Sequence, residues 1–224
     1  HTASGYWVDN NRATTIEGLY AAGDVAGGCP QKYVTGALAE GEIAAEAILE
    51  YLNGKDDDRI AAENKEEALE RGGEQELSQT AIAKKAEYES HLNASRSLMN
   101  AEQLEEAMQK IMDQYAGGIG TDYRYSGMSL AKADEKIAAL LPVVDTLAAT
   151  DTYELMQIYE LRERLILCQA VIAHLAARKE TRWHSFGENT DYPQQSEEWM
   201  KYVNSRMENG EIKILYRDLM TKEN

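Results

Sequence analysis

The sequence predicts an α+β protein that is mostly α: a short β segment, then a helical bundle of three to four antiparallel helices, then an extended aromatic arm. Three observations predict it. Strand-like apolar runs broken by turn residues are confined to residues 5–26. Between residues 37 and 179 apolar residues recur at spacings of three and four, and beyond Lys179 aromatic residues are interleaved with Gly and Pro. At 224 residues the chain can bury a sizeable core, and 43% hydrophobic with 28% charged residues is ordinary globular usage.

In chain order, Gly5-Tyr6-Trp7-Val8, Thr14-Thr15-Ile16 and the run Gly18 to Asp24 read as short strands around a polar turn from Asp9 to Arg12, the only convincing β sequence. A Gly/Pro loop from Gly27 to Pro30 leads into a helix carrying Ala37-Leu38, Ile43-Ala44, Ala47-Ile48 and Leu52, with Asn53-Gly54 as its stop. Residues 55–76 are so rich in charge that they read as a linker or solvated helix, separating a segment 1–54 from a bundle domain 77–180.

Within the bundle a polar, Ala-rich helix covers 77–92. Asn100 is placed as the N-cap of a helix reaching Tyr115 with Leu104, Met108 and Ile111, stopped by Gly117-Gly118. A helix from Ser129 to about Ala149 is expected to kink or split at Pro142. The last, 151–179, lays Ile158, Leu161, Leu165, Cys168, Ile172 and Leu175 along one seam. Residues 181–224 form the arm, with Arg182-Trp183-His184-Ser185-Phe186-Gly187, then Asp191-Tyr192-Pro193, Trp199 and Tyr202.

Charge excludes some functions. With 39 acidic against 23 basic residues the net charge is −16, which repels phosphate backbones and anionic headgroups, so no nucleic acid and no direct membrane insertion are expected. No apolar run approaches the roughly 20 residues that span a bilayer. Cys29 and Cys168 alone build neither a disulfide framework nor a metal cluster, and a reducing cytoplasmic setting is expected. His1-Thr2-Ala3 has no initiator Met and runs at once into strand-like sequence, so the N-terminus is expected to be a cut.

The chemistry lies in the stretch from Thr14 to Gly28. A strand ends in small residues, Ala21-Ala22-Gly23, that let backbone approach a ligand, and the Asp24 carboxylate can accept hydrogen bonds from a sugar-like hydroxyl chain. Thr35, Gly36, Ala37 and Leu38 then open a helix whose unpaired N–H groups and positive dipole end favour an anion or an electron-rich ring edge. On a plainer reading, Asp24 merely caps the following loop.

The pattern T-x-x-x-G-L-Y-A-A-G-D resembles the closing FAD-binding motif of two-dinucleotide-domain flavoproteins. Its continuation, Pro30-Gln31-Lys32-Tyr33-Val34-Thr35-Gly36-Ala37-Leu38-Ala39-Glu40-Gly41, followed by a helical domain and by Glu180, Arg182, Asp191, Tyr192, Pro193 and Trp199 in that order, resembles the succinate dehydrogenase/fumarate reductase flavoprotein family over nearly the whole chain. Where the succinate and fumarate members carry a carboxylate-clamping Arg, this chain has Lys32, a point charge without the planar fork. The sequence K-Y-V-T-G-A-L-A-E-G is closer to the adenylylsulfate reductase α subunit type.

The resemblance implies an FAD-dependent two-electron oxidoreductase acting on a small-molecule substrate. An iron-sulfur partner subunit and an N-terminal FAD-binding half carrying the Gly-rich βαβ unit that this chain lacks are implied with it. It also places His1 and Lys32 near substrate, although each also reads as a solvated residue. The fragment by itself is expected to be inactive and not to retain FAD. A fumarate reductase or succinate dehydrogenase flavoprotein is the alternative, and a helical subunit-docking module without catalysis is the reading from another class. His91 and His174 are expected to be solvated, and His184 to pack beside Trp183 and Phe186.

Overall fold

The computed structural model describes residues 4–29, 33–95, 98–182 and 187–219, the side chains of 55–78 excepted. The chain divides into two units, His1–Thr80 and Ala81–Asn224.

In the first unit residues 4–29 form a compact meander rather than full strands. Tyr6 bridges Ala26 in parallel and Ala13 bridges Tyr20 in antiparallel fashion, and Gly23–Val25 form a 3₁₀ turn. The expected strands shrink to these bridges because short runs between tight turns satisfy only a few backbone groups. Tyr6 N–H donates to Val25 O at 2.8 Å and Gly27 N–H to Tyr6 O at 2.8 Å. Helix α1, Val34–Leu92, follows. It does not stop at Asn53-Gly54: Gly54 is absent from the positive-φ glycines, so no left-handed cap forms there. A glycine inside a helix costs only about 1 kcal/mol, and the ladder carries on. α1 turns Glu40, Ala44, Ala47, Ile48 and Tyr51 away from solvent to varying degrees, whereas Ala37, Leu38, Ile43 and Leu52, four of the seven residues of the expected apolar stripe, are exposed.

The second unit is the helical bundle. α2, Ala101–Tyr115, begins at the expected Asn100 cap in a full capping box: Gln103 N–H donates to Asn100 Oδ1 at 2.9 Å and Asn100 N–H to Gln103 Oε1 at 3.1 Å. α3, Gly127–Val144, is capped by Ser126 and ends two residues beyond Pro142. The expected helix to Ala149 is therefore cut short: Pro142 sits in the last turn, and the chain leaves with Leu147 and Ala149 buried in the connection. α4, Thr152–Ala177, starts at Asp151, whose Oδ1 accepts the N–H groups of Tyr153 and Glu154. Leu104 and Met108 from α2, Leu130, Ala133 and Ile137 from α3, and Ile158, Leu161, Leu165 and Ile172 from α4 make one continuous core, with Cys168 and Leu175 at its margin.

The arm is not merely extended. β1, Arg124–Tyr125, pairs in parallel with β2, Glu188–Asn189, and the chain then forms an antiparallel hairpin of β3, Lys201–Glu208, and β4, Glu211–Asp218. The hairpin turns on Asn209 at φ 52° and Gly210 at φ 81°, the positive angles that a two-residue turn matched to strand twist demands. Residues 5–26 are thus not the main β sequence. Among the described residues no helix is long and apolar enough to cross a membrane.

Candidate functional site

The first unit builds the candidate site from its turns. Asp9 Oδ1 accepts the N–H groups of Asn11 and Ala13, both at 2.9 Å, which fixes the turn and holds Arg12 at φ 66°. Ala21 N–H then donates to Arg12 O at 3.0 Å, bringing the end of the Gly18–Asp24 run alongside. Gly23 follows at φ 72°, buried, against the first turns of α1. A Cβ on Gly23 would stand 3.2 Å from Ala37 Cβ, so glycine answers both the backbone angle and the close approach.

The structure thus brings two of the expected cofactor-binding residues, Gly23 and Ala37, into contact. Asp24, Thr35 and Leu38 lie open to solvent in the same two segments, and Gly36 is half-buried. Among the described residues Ala37 N–H is the first to enter the ladder, donating to Tyr33 O at 2.9 Å, and Val34, Thr35 and Gly36 precede it in the first turn. Gly23, the residue before Asp24, thus packs against the first turn of α1. The other two expected site residues, His1 and Lys32, lie outside the described residues, as does the Trp183-His184-Phe186 cluster.

Sequence reasoning missed Glu40. One turn beyond Ala37 on α1, it is buried; its Oε2 accepts Gly23 N–H at 3.0 Å and its Oε1 lies 3.4 Å from an Nη of Arg12. Arg12 also donates from Nη1 to the carbonyls of Asp9 and Asn10, each at 3.2 Å, while its Nε is buried without a hydrogen-bond partner.

In the second unit the arm residues form a structural lock. Glu180 is buried with its Oε1 accepting from Arg178 and Arg182 and its Oε2 from Arg182 and Ser196 N–H, at 2.6 to 3.0 Å. Burial alone pushes this carboxyl up, but the hydrogen bonds from Arg182, Ser196 and Arg178 outweigh it and hold the group below the usual range. Asp191 Oδ2 accepts Gly127 N–H at 2.7 Å, at the start of α3, and Tyr192 O accepts the Thr181 hydroxyl at 2.9 Å. The Trp199 ring lies under Lys201 and Arg178 at 5.2 and 5.8 Å and meets the edge of Tyr216.

Two histidines expected in solvent are not there. His91 is buried, with Nδ1 2.7 Å from Leu147 O and its own carbonyl accepting Ala149 N–H, because the end of α1 lies against the α3–α4 connection. His174 is half-buried, with Nε2 2.8 Å from Ser205 Oγ, because β3 covers that face of α4. Near His91 an open charged groove of about 630 Å³ is lined by Lys84, Glu87, Asp145, Tyr159 and Arg162. Glu87 accepts from Lys84 and from the Tyr159 hydroxyl, and Arg162 bridges Glu87 and Asp145.

The profile of the family described as fumarate reductase flavoprotein C-term matches residues 105–224. The adenylylsulfate reductase subunit alpha of Megalodesulfovibrio gigas is 30% identical over 88% of this chain and 29% of its own length. The adenylylsulfate reductase structure from Archaeoglobus fulgidus is 31% identical with a TM-score of 0.75, over 94% of this chain and 33% of that one. An E. coli quinol fumarate reductase structure, at 19% identity, shares the fold: TM-score 0.68 over 98% of this chain and 37% of that one. The chain spans about a third of the length of the relatives it matches. The chain belongs to the fumarate reductase flavoprotein C-terminal family.

Proposed function

We propose that this chain is the C-terminal part of an FAD-dependent oxidoreductase subunit of the adenylylsulfate reductase type, completing a flavin site whose phosphate-binding half lies elsewhere in the full-length protein. The observation that carries the reading is the contact of Gly23 with Ala37, which packs the residue preceding Asp24 against the first turn of α1. FAD, when bound, supplies two-electron transfer. Asp24 would hold the hydroxyl chain, and the N–H groups of Thr35 and Gly36, at the positive end of the α1 dipole, would favour negative charge gained on reduction.

The first unit also exposes Tyr6, Ile16, Leu19, Val25, Val34 and Leu38, far more apolar surface than its few buried alanines and Cys29 can match. Such a face is what docking against a further portion of the same protein would cover. Identities of 30 and 31% to adenylylsulfate reductases, against 19% to a fumarate reductase, favour the former subfamily, as does Lys32 in place of the carboxylate-clamping Arg. With that subfamily go an iron-sulfur partner subunit, a substrate contact for Lys32 and His1, and a cytoplasmic location.

The test is the visible flavin band of the full-length protein before and after addition of sulfite with AMP, and separately of succinate. Bleaching by sulfite with AMP alone is the expected result. Bleaching by succinate alone transfers the protein to the dicarboxylate branch, and a protein without flavin overturns the reading.

A further inference from the structure

We propose that Glu40 is a positioning residue for the flavin site, holding the Gly23–Asp24 turn in the one conformation in which Asp24 can serve the cofactor. This inference rests on the FAD reading above. Gly23 sits at φ 72°, a left-handed conformation for which a glycine has no strong preference over others, so something else must choose it. The Glu40 carboxylate does so, since it is buried and its Oε2 takes the buried Gly23 N–H at 3.0 Å.

The second oxygen of the same carboxylate faces Arg12 at 3.4 Å, and Arg12 is itself fixed by donation to Asp9 O and Asn10 O. One side chain therefore joins three pieces of chain: the Asp9–Arg12 turn, the Gly23–Asp24 turn and the second turn of α1. The arrangement carries the features of a positioning device rather than of filler. A buried carboxylate is costly unless paired, and an apolar residue at this place on α1 would fill the space with less penalty. Arg12 tolerates a positive φ and a buried Nε without a partner. What the two residues accomplish together is the fixed aim of the residue after Gly23.

The test uses the full-length protein, stripped of flavin and titrated with FAD, with Glu40→Ala, Glu40→Gln and Glu40→Asp compared with the unchanged sequence. Gln keeps an oxygen at the same reach for the Gly23 N–H, while Asp keeps the charge and draws the oxygen back by a methylene. Glu40→Ala is expected to weaken FAD binding about tenfold or more. Glu40→Asp should also weaken it, and Glu40→Gln should stay within about threefold of the parent, a rescue that loss of general stability does not produce. If Glu40→Ala fails to fold, the Asp and Gln pair decides alone. Equal affinity in all four proteins overturns the positioning role and leaves the FAD reading standing. Gln as weak as Asp overturns it too, because an oxygen kept within reach of the Gly23 N–H would then restore nothing. A parent protein that takes up no FAD overturns the FAD reading itself, and this role with it.

Discussion

Arg182 makes two parallel hydrogen bonds to Glu180, Nε to Oε1 and Nη2 to Oε2, each 2.9 Å, on a carboxylate that solvent does not reach and that also takes the Ser196 N–H from further along the arm. Removing one partner of such a pair leaves the other buried without compensation. Both arginines around Glu180 keep some solvent exposure, which softens the penalty. Glu180→Ala is accordingly expected to cost about 2–3 kcal/mol in denaturant unfolding of the full-length protein, and Arg182→Ala less.

The same pair sets a pH dependence. The folded-state pKa of Glu180 lies below its ordinary value, so its contribution is complete above the ordinary carboxylate range and is lost as pH falls through the folded value. Unfolding curves taken on descending pH should lose stability in that acidic window, and the Glu180→Gln protein should show a shallower loss. Parallel curves for the two proteins would contradict the assignment.

His174 gives an independent pH signal. Burial, with Arg178 nearby, holds its imidazole below the usual range. The unfolded chain therefore takes up this proton first as pH falls, and stability drops from the ordinary imidazole value downward until the folded-state group titrates as well. Proton NMR of the imidazole ring should show the depressed titration, and Ser205→Ala should alter it.

Core position and surface position are separable on α4. Leu165 is 0% exposed and Leu167 62% exposed, two residues apart on one helix. Leu165→Ala should cost about 3 kcal/mol through lost contacts and a residual cavity, while Leu167→Ala should stay within about 0.5 kcal/mol. Thermal melts of both variants check the contrast.

The hairpin turn isolates a backbone cost. Gly210 stands at φ 81° with nothing within 4 Å of where a Cβ would be, so Gly210→Ala meets no clash and pays only for the left-handed angle. About 1 kcal/mol of destabilisation is expected, read from the denaturant midpoint.

That turn also shows what was legible. Asn209-Gly210 between alternating strands is the strongest short-range hairpin signal, yet the aromatic, Gly and Pro content around it draws attention to an extended arm. The same dipeptide at Asn53-Gly54 reads as a helix stop, and there the helix continues. The dipeptide is decisive only with its flanks: strand alternation at 201–218, helical spacing at 37–52. The helices of the bundle were legible because Asn100 and the seam from Ile158 to Leu175 are local patterns. His91 and His174 were not, since each is covered by an element distant in sequence. At the candidate site the Gly23-Asp24 motif and the start of α1 could be read from residue types alone. Glu40 could not, because a lone glutamate on a helix reads as solvated until the structure shows it turned inward onto Gly23.

The measurement that tests the central claim most directly is the flavin content of the full-length protein purified without added cofactor, beside its Gly23→Val variant. Stoichiometric FAD in the parent and its loss from a variant that still folds is the result this account predicts. A parent free of flavin, or a variant that holds FAD as the parent does, would contradict it.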